Sequence, residues 1–307
     1  MLNSKNKIRI LIVDKINLHG VKLLPLKYFS VTYKINLLNS DILNHYNNYD
    51  VLVIRSTRTI DKYFLQNCKF KIIASCTKGT DHIDLKYAKK RNITIINSET
   101  GNTVSTAEHT FALILNIAKN LKLSDKLVRE NKFSNYDFKR TELRGKKIGI
   151  IGFGKVGSRV ALYAKAFEMV VYANDIDINV RKNNRKTVFK SLNFILKNAD
   201  IISIHIPLNL KNTDFISGEK LKLLPDKTIL INTSRGEVVD EKCLIELLKK
   251  NRIYYAGLDV FKNEPKINKV FFSLKNAVLT NHIAGKTEDS LKYISNDIFM
   301  QVKNLFF

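Results

Sequence analysis

In the last third of the 307-residue chain, three residues have the types that proton and anion chemistry needs: Arg235 in TSRG, Glu264 in DVFKNEP and His282 in TNHIAG. Each follows an apolar run that reads as a β-strand. An arginine so placed can clamp a carboxylate with two parallel hydrogen bonds, and a histidine exchanges a proton near neutral pH. A glutamate beside the histidine favours its imidazolium form and fixes its orientation. Taken singly, each has a plainer reading: a half-buried structural histidine, a surface arginine, a loop charge. Three of them after successive strands of one sheet point to a site, because ligands of doubly wound sheets bind beyond the carboxyl ends of the strands.

The stretch that must position them is 147–161, KIGIIGFGKVGSRVA, an apolar run that ends in Gly152-x-Gly154-x-x-Gly157 and passes into an amphipathic segment. It reads as strand, tight turn and helix. Gly152 serves the turn, Gly154 lets the backbone approach a pyrophosphate, and Gly157 lets helix and strand pack closely. Lys155 and Val156 open the helix, whose free N–H groups favour phosphate. Eighteen residues after Gly157, Asp175 ends a second apolar run, where an acid accepts hydrogen bonds from both ribose hydroxyls. That favours NAD over NADP.

Residues 7–13, 51–54, 70–75 and 93–96 read as strands, with a helix over 39–49, and predict a small parallel α/β domain over 1–102. Arg55, Arg58 and Lys78 follow its strands, where an arginine is as readily a solvated rim charge as an anion ligand. Residues 103–121, TVSTAEHTFALILNIAKNL, predict a long, largely buried helix at the crossing into a second domain, 103–285. Its later strands are expected at 201–206, 228–232, 255–260 and 277–280, with helices after 192 and over 240–250. His109 on the long helix and His205 in a strand read as structural, and His19, His45 and His82 have no partner that the sequence names.

The formal charge of +24 invites a nucleic-acid reading, but the lysines are spread over the whole chain and no basic run interleaves with aromatics. No nucleic-acid partner is expected, although an anionic substrate would feel this field. Residues 1–7 are polar and the apolar run 8–13 is short and interrupted by Arg9, so no secretory leader is read. No stretch approaches the roughly 20 apolar residues of a membrane span. Cys68, Cys76 and Cys243 have no paired or metal-type spacing, so a reduced, cytoplasmic protein with structural thiols is expected.

Together the segments GIIGFGKVG, HIPL, LINTSRGEVVDE, AGLDVFKNEP and NHIAGKT, with VIRSTRTI, TKGTDHIDL and GNTVSTAEH before them, resemble the D-isomer-specific 2-hydroxyacid dehydrogenase family nearly end to end. The resemblance implies two Rossmann-like α/β domains with doubly wound parallel sheets. The NAD-binding domain is inserted into the substrate domain, which 286–307 complete, and relatives usually dimerise through the former. It implies that Arg235 holds the carboxylate of a small 2-hydroxy or 2-oxo acid, that His282 is the general acid/base, and that Glu264 pairs with His282. Cofactor contacts are implied for the glycine turn, Lys155, Val156, Asp175, His205, Pro207, Thr233, Ser234, Arg235, His282 and Asp259, the last near the nicotinamide carboxamide. Substrate contacts are implied for Arg55, Arg58, Lys78, Gly79, Asn102 and Arg235, and no metal is implied.

Two positions depart from the family pattern: Glu168 stands where glycine is usual and Asn281 where proline is usual. Among substrates the resemblance favours 3-phosphoglycerate, a step of serine synthesis. Erythronate 4-phosphate and the pair glycerate and hydroxypyruvate are alternatives, and an NAD-sensing corepressor is the non-enzymatic one.

Overall fold

A computed structural model describes residues 7–134, 138–209 and 211–307. The reading of a polar start over 1–6 therefore lies outside the described residues, as do 135–137 of the polar segment before the glycine turn. The chain divides into two compact units, Met1–Asn102 with Lys286–Phe307, and Thr103–Gly285.

The first unit runs β1 (Ile8–Ile12), β2 (Phe29–Tyr33), α1 (Asn39–His45), β3 (Val51–Ile54), α2 (Lys62–Asn67), β4 (Ile72–Ser75), α3 (Leu85–Lys90) and β5 (Thr94–Asn97). Its sheet has the order β2-β1-β3-β4-β5, and every pairing is parallel. The strand order reverses between β1 and β3, so the crevice of this sheet opens beside Asp14 and Arg55. The β2 strand is a correction to the sequence reading. Its FSVTY is an edge strand with one buried residue, so it lacks the apolar run that marks the others.

The second unit opens with α4 (Thr103–Lys119) and α5 (Leu121–Arg129) and continues β6 (Lys147–Ile151), α6 (Lys155–Ala166), β7 (Val170–Asn174), α7 (Ile178–Asn183), β8 (Val188–Phe189), α8 (Leu192–Asn198) and β9 (Ile201–Ile204). It ends with α9 (Gly218–Leu221), β10 (Ile229–Asn232), α10 (Glu241–Lys249), β11 (Tyr255–Leu258) and β12 (Ala277–Leu279). The seven parallel strands lie in the order β12-β11-β10-β9-β6-β7-β8, with the reversal between β6 and β9. Successive side chains serve opposite faces. Ile150 joins the core under α4 and α6, and Ile151 the core under α8 and α10. Burial on both faces is why these strands read as continuous apolar runs.

The last helix, α11 (Glu288–Asn304), belongs to the first unit and covers one face of its sheet with Ile294, Ile298, Phe299 and Val302. Polar bonds fix its register: Ser98 Oγ donates to Asp297 Oδ2 at 2.6 Å and Gln301 Nε2 to the Asn97 carbonyl at 3.1 Å. A Cβ on Gly20 would stand 2.2 Å from the Ser295 carbonyl oxygen, so the chain after β1 can pass this helix only as glycine. Among the described residues, no helix is long and apolar enough to cross a membrane.

The departure at Glu168 has a conformational cost. The residue follows α6 with φ +55°, and the amides of Glu168 and Met169 donate to the carbonyls of Lys165 and Ala164, the closing pattern that glycine serves best. A side chain in this region costs roughly 1–2 kcal/mol, partly offset by glycine's larger backbone entropy. The exposed Arg144–Glu168 pair at 2.9 Å returns little of it. Glu168→Gly is expected to stabilise the protein by about 0.5–1 kcal/mol, read as a higher melting temperature in thermal denaturation. A lower one would contradict this account of the turn.

Candidate active site

In the second unit the candidate residues gather because each follows the carboxyl end of a strand. The glycine turn follows β6, Asp175 β7, His205 β9, Thr233 to Arg235 β10, Asp259 to Glu264 β11, and His282 β12. Three glycines do three different things. Gly152 has φ +89°, and a Cβ there would lie 2.8 Å from the His205 carbonyl group. A Cβ on Gly157 would lie 2.1 Å from the Gly152 oxygen, so α6 packs against the turn only without one. Gly154 meets nothing within 4 Å, which leaves open space in front of the α6 N-terminus where Lys155 and Val156 begin the helix. Such a cradle fits a pyrophosphate.

Asp175 closes the other side of the turn. Its Oδ2 accepts from the Phe153 amide at 2.7 Å and its Oδ1 from the Asp177 amide at 2.9 Å. The carboxylate is thereby oriented, with lone pairs left for ribose hydroxyls. His205 donates its amide to the Ile151 carbonyl at 2.7 Å, and its Nε2 lies 2.7 Å from the buried Ser203 hydroxyl. The Pro207 carbonyl accepts from Asn212 Nδ2 at 2.9 Å.

Arg235 sits on a turn built by a residue that the sequence reading passed over, Asn232. Its Oδ1 accepts from the Ser234 amide and hydroxyl at 3.0 and 2.8 Å, and its Nδ2 donates to the Arg235 carbonyl at 2.9 Å. An asparagine two residues before a serine at a strand end is the signal that could have found it. Thr233 is held from α4, where the Thr110 hydroxyl lies 2.9 Å from its own. The next residue joins two loops: a Cβ on Gly236 would fall 2.0 Å from the Phe261 carbonyl carbon, so the Arg235 turn rests directly on the backbone of the loop that carries Glu264.

That loop and the one after β12 supply an acid/base pair. His282 Nδ1 lies 2.6 Å from Glu264 Oε2, and Glu264 Oε1 accepts from the Phe261 amide at 2.9 Å. A carboxylate only accepts, so the proton of this bond is on Nδ1 and Nε2 is the atom left for chemistry. The imidazole is 41% exposed, enough to meet a small ligand. Partial burial of Glu264 pushes its pKa up, but the His282 bond, the Phe261 amide and the charges of His282 and Arg235 outweigh it and hold the carboxyl below its ordinary 4.5.

Asp259 is fully buried. Its main-chain carbonyl accepts the His282 amide at 2.8 Å, its Oδ1 the Ile283 amide at 2.9 Å and its Oδ2 the Ala284 amide at 2.9 Å. Oδ1 also accepts the Thr280 hydroxyl at 2.6 Å. One residue thus captures three successive amides of the loop that presents the imidazole, at a point where His282 itself has φ +55°.

In the first unit, Arg55 follows β3, Lys78 and Gly79 follow β4, and Asn102 comes after β5. The Arg55 amide donates to Asp14 Oδ2 at 2.8 Å and its Nη1 to the Lys15 carbonyl at 3.2 Å. The turn at Lys78 and Gly79 is pinned by Asn97 Nδ2 on the Lys78 carbonyl and Thr77 Oγ1 on the Gly79 carbonyl, each at 2.8 Å. His82, without a partner in the sequence, lies with Nε2 3.1 Å from the buried Ser75 hydroxyl that also meets Thr77. Arg58, expected to contact an anion, makes its contacts within the first unit. Its guanidinium is turned inward, bonded to Asp14 Oδ1 at 3.0 Å, Asn39 Oδ1 at 2.8 Å and the Leu37 carbonyl at 2.8 Å. A side chain 11% exposed and so engaged ties the loop after β3 to those after β1 and β2.

A glycine turn of this shape with an acid on the neighbouring strand defines a dinucleotide-binding domain, and a histidine–glutamate pair lies on the same sheet edge. The family model described as D-isomer specific 2-hydroxyacid dehydrogenase, NAD binding domain, matches residues 111–284. The chain belongs to the D-isomer-specific 2-hydroxyacid dehydrogenase family. It is 32% identical to a D-3-phosphoglycerate dehydrogenase of Archaeoglobus fulgidus over 97% of this chain and 58% of that protein, so it spans little more than half of that relative's length. It is 37% identical to a glyoxylate reductase of Thermococcus litoralis over 81% of this chain and 78% of that protein. A crystal structure of D-lactate dehydrogenase from Aquifex aeolicus, complexed with NAD and lactic acid, superposes with TM-score 0.83 at 28% identity, over 97% of this chain and 95% of that one.

The glycines separate fit from folding. Gly154→Ala should leave stability within about 0.5 kcal/mol while weakening NADH binding by calorimetry, because the methyl group fills the cradle. Gly157→Ala should destabilise the fold by about 1–3 kcal/mol, and equal effects of the two on stability would contradict these roles. Because the Glu264 pKa is lowered on folding, its contribution to stability is present above pH 4.5 and is lost as pH falls through the folded value. Denaturation of the wild type and Glu264→Gln should therefore differ above that pH and converge below it; a gap that persists in acid would contradict the pairing.

Proposed function

We propose that the protein is an NAD-dependent dehydrogenase that moves a hydride between C2 of a D-2-hydroxy acid and nicotinamide. The observation that carries this reading is the 2.6 Å bond between His282 Nδ1 and Glu264 Oε2 on the sheet edge that also bears the glycine turn and Arg235. NAD, when bound, supplies the hydride acceptor. The chain's own residues do the rest. In the oxidative direction His282 Nε2 takes the hydroxyl proton, and in the reductive direction it returns one. Glu264 keeps Nε2 turned outward and supports the imidazolium that forms. Arg235 offers its guanidinium to the substrate carboxylate and to the charge that develops on the 2-oxo oxygen. Asp175 serves the ribose hydroxyls.

Among the acids, 3-phosphoglycerate is the first reading, supported by the alignment of 97% of this chain with little more than half of D-3-phosphoglycerate dehydrogenases. Arg55, Lys78, Gly79 and Asn102 remain the proposed substrate contacts of the first unit. One observation favours a second reading, an unphosphorylated acid such as glyoxylate or hydroxypyruvate: the inward bonds of Arg58 to Asp14, Asn39 and the Leu37 carbonyl remove one of the two arginines proposed for a phosphate.

General acid/base transfer contributes about 10²- to 10⁴-fold, so His282→Ala should lose that much kcat while NADH binding stays near the wild-type level. Wild-type turnover by this variant would overturn the assignment. NADH oxidation with 3-phosphohydroxypyruvate, hydroxypyruvate, glyoxylate and pyruvate separates the two substrate readings. Under the first, kcat/KM for the phosphorylated acid is at least about tenfold higher than for the rest, equivalent to about 1.4 kcal/mol in the transition state, and Arg55→Ala removes that preference.

A further inference from the structure

The buried Asp259 carboxylate has a partner outside the loops it organises. His109 projects from α4, with its Nε2 3.0 Å from Thr280 Oγ1 and 3.5 Å from Asp259 Oδ1, and its side chain is 19% exposed. The protons of this cluster can be assigned. Asp259 only accepts, so the Thr280 hydroxyl donates to it across 2.6 Å. The Thr280 oxygen is then the acceptor for His109, which must carry a proton on Nε2. His109 therefore orients the hydroxyl that binds the carboxylate.

The same carboxylate, with the Asp259 carbonyl, holds the amides of His282, Ile283 and Ala284. His282 occupies a left-handed conformation, φ +55°, uncommon for a residue other than glycine and held here by the loop's hydrogen bonds. Asn281 precedes it where a proline would have stiffened the backbone, so the loop depends all the more on hydrogen bonds. We propose that His109 is a positioning residue for proton transfer. Through Thr280 and Asp259 it fixes the backbone at 282–284 and so the aim of the His282 imidazole. This rests on the reading of His282 as the acid/base group.

The test uses two substitutions at one site. His109→Leu removes the donor, and His109→Gln keeps an N–H at similar reach. His109→Leu is expected to lower kcat about 10- to 100-fold with KM and NADH affinity within a few-fold of wild type, and His109→Gln to restore most of the loss. In a His282→Ala background His109→Leu should cost little further, because both act at one step. Amide hydrogen exchange over 280–285 should quicken in His109→Leu and return in His109→Gln. Unchanged kcat in His109→Leu, or losses that multiply with those of His282→Ala, would overturn the proposal. Should the wild type turn over none of the 2-oxo acids, the dehydrogenase reading fails by itself. Exchange over 280–285 then decides the role of His109, and unaltered exchange in His109→Leu refutes it.

Discussion

The presentation of His282 depends on how the loop after β12 is held, and Asp259 holds it. A carboxylate removed from water is costly unless its lone pairs are filled. Here two backbone amides and a hydroxyl fill them, while the carbonyl of the same residue takes a third amide. The favourable terms are charge-assisted hydrogen bonds in a dry environment, where each is stronger than in water. What they stabilise is the unfavourable left-handed backbone at His282. The proposed acid/base residue is thus presented in a conformation uncommon for a non-glycine residue. Resemblance assigns Asp259 to the nicotinamide carboxamide; in the structure both of its carboxylate oxygens are already engaged by its own loop.

The remaining geometry follows from topology and from a few close approaches. Parallel strands deliver all their following loops to one edge of the sheet, so residues from Gly152 to His282 meet without any special folding device. Glycine then sets the spacing: Gly157 lets α6 close on the turn, and Gly236 lets the Arg235 turn lie on the Glu264 loop. The α4 helix contributes more than apolar cover. Its Thr110 and His109 reach two of the strand ends that bear the site, at Thr233 and Thr280.

Much of this was legible in the sequence, for reasons that can be given. Buried parallel strands leave apolar runs, and seven-stranded and five-stranded parallel sheets were readable from them except at the edge strands β2 and β8, which bury too little to leave a run. The glycine turn, Asp175, Arg235, Glu264 and His282 stood out by their spacing and by their placement after strand ends. Asn232 did not, since an asparagine at a strand end looks like any turn former until its three hydrogen bonds are seen. For Arg58 it was the surroundings that the sequence left out. An arginine in a polar loop resembles a ligand, and only the fold shows Asp14 and Asn39 closing around it. His109, read as structural from its place on a buried helix, shows a contact with Thr280 that joins residues 171 positions apart, which no local pattern encodes.

The central claim is that hydride moves between nicotinamide and C2 of a D-2-hydroxy acid on this chain. The direct measurement is to supply NADH deuterated at nicotinamide C4, one face at a time, with hydroxypyruvate or its 3-phosphate, and to find the label by mass spectrometry and NMR. The account predicts deuterium from one face only, bonded to C2 of the D-isomer. A product of L configuration, label lost to water, or no product from either acid would contradict it.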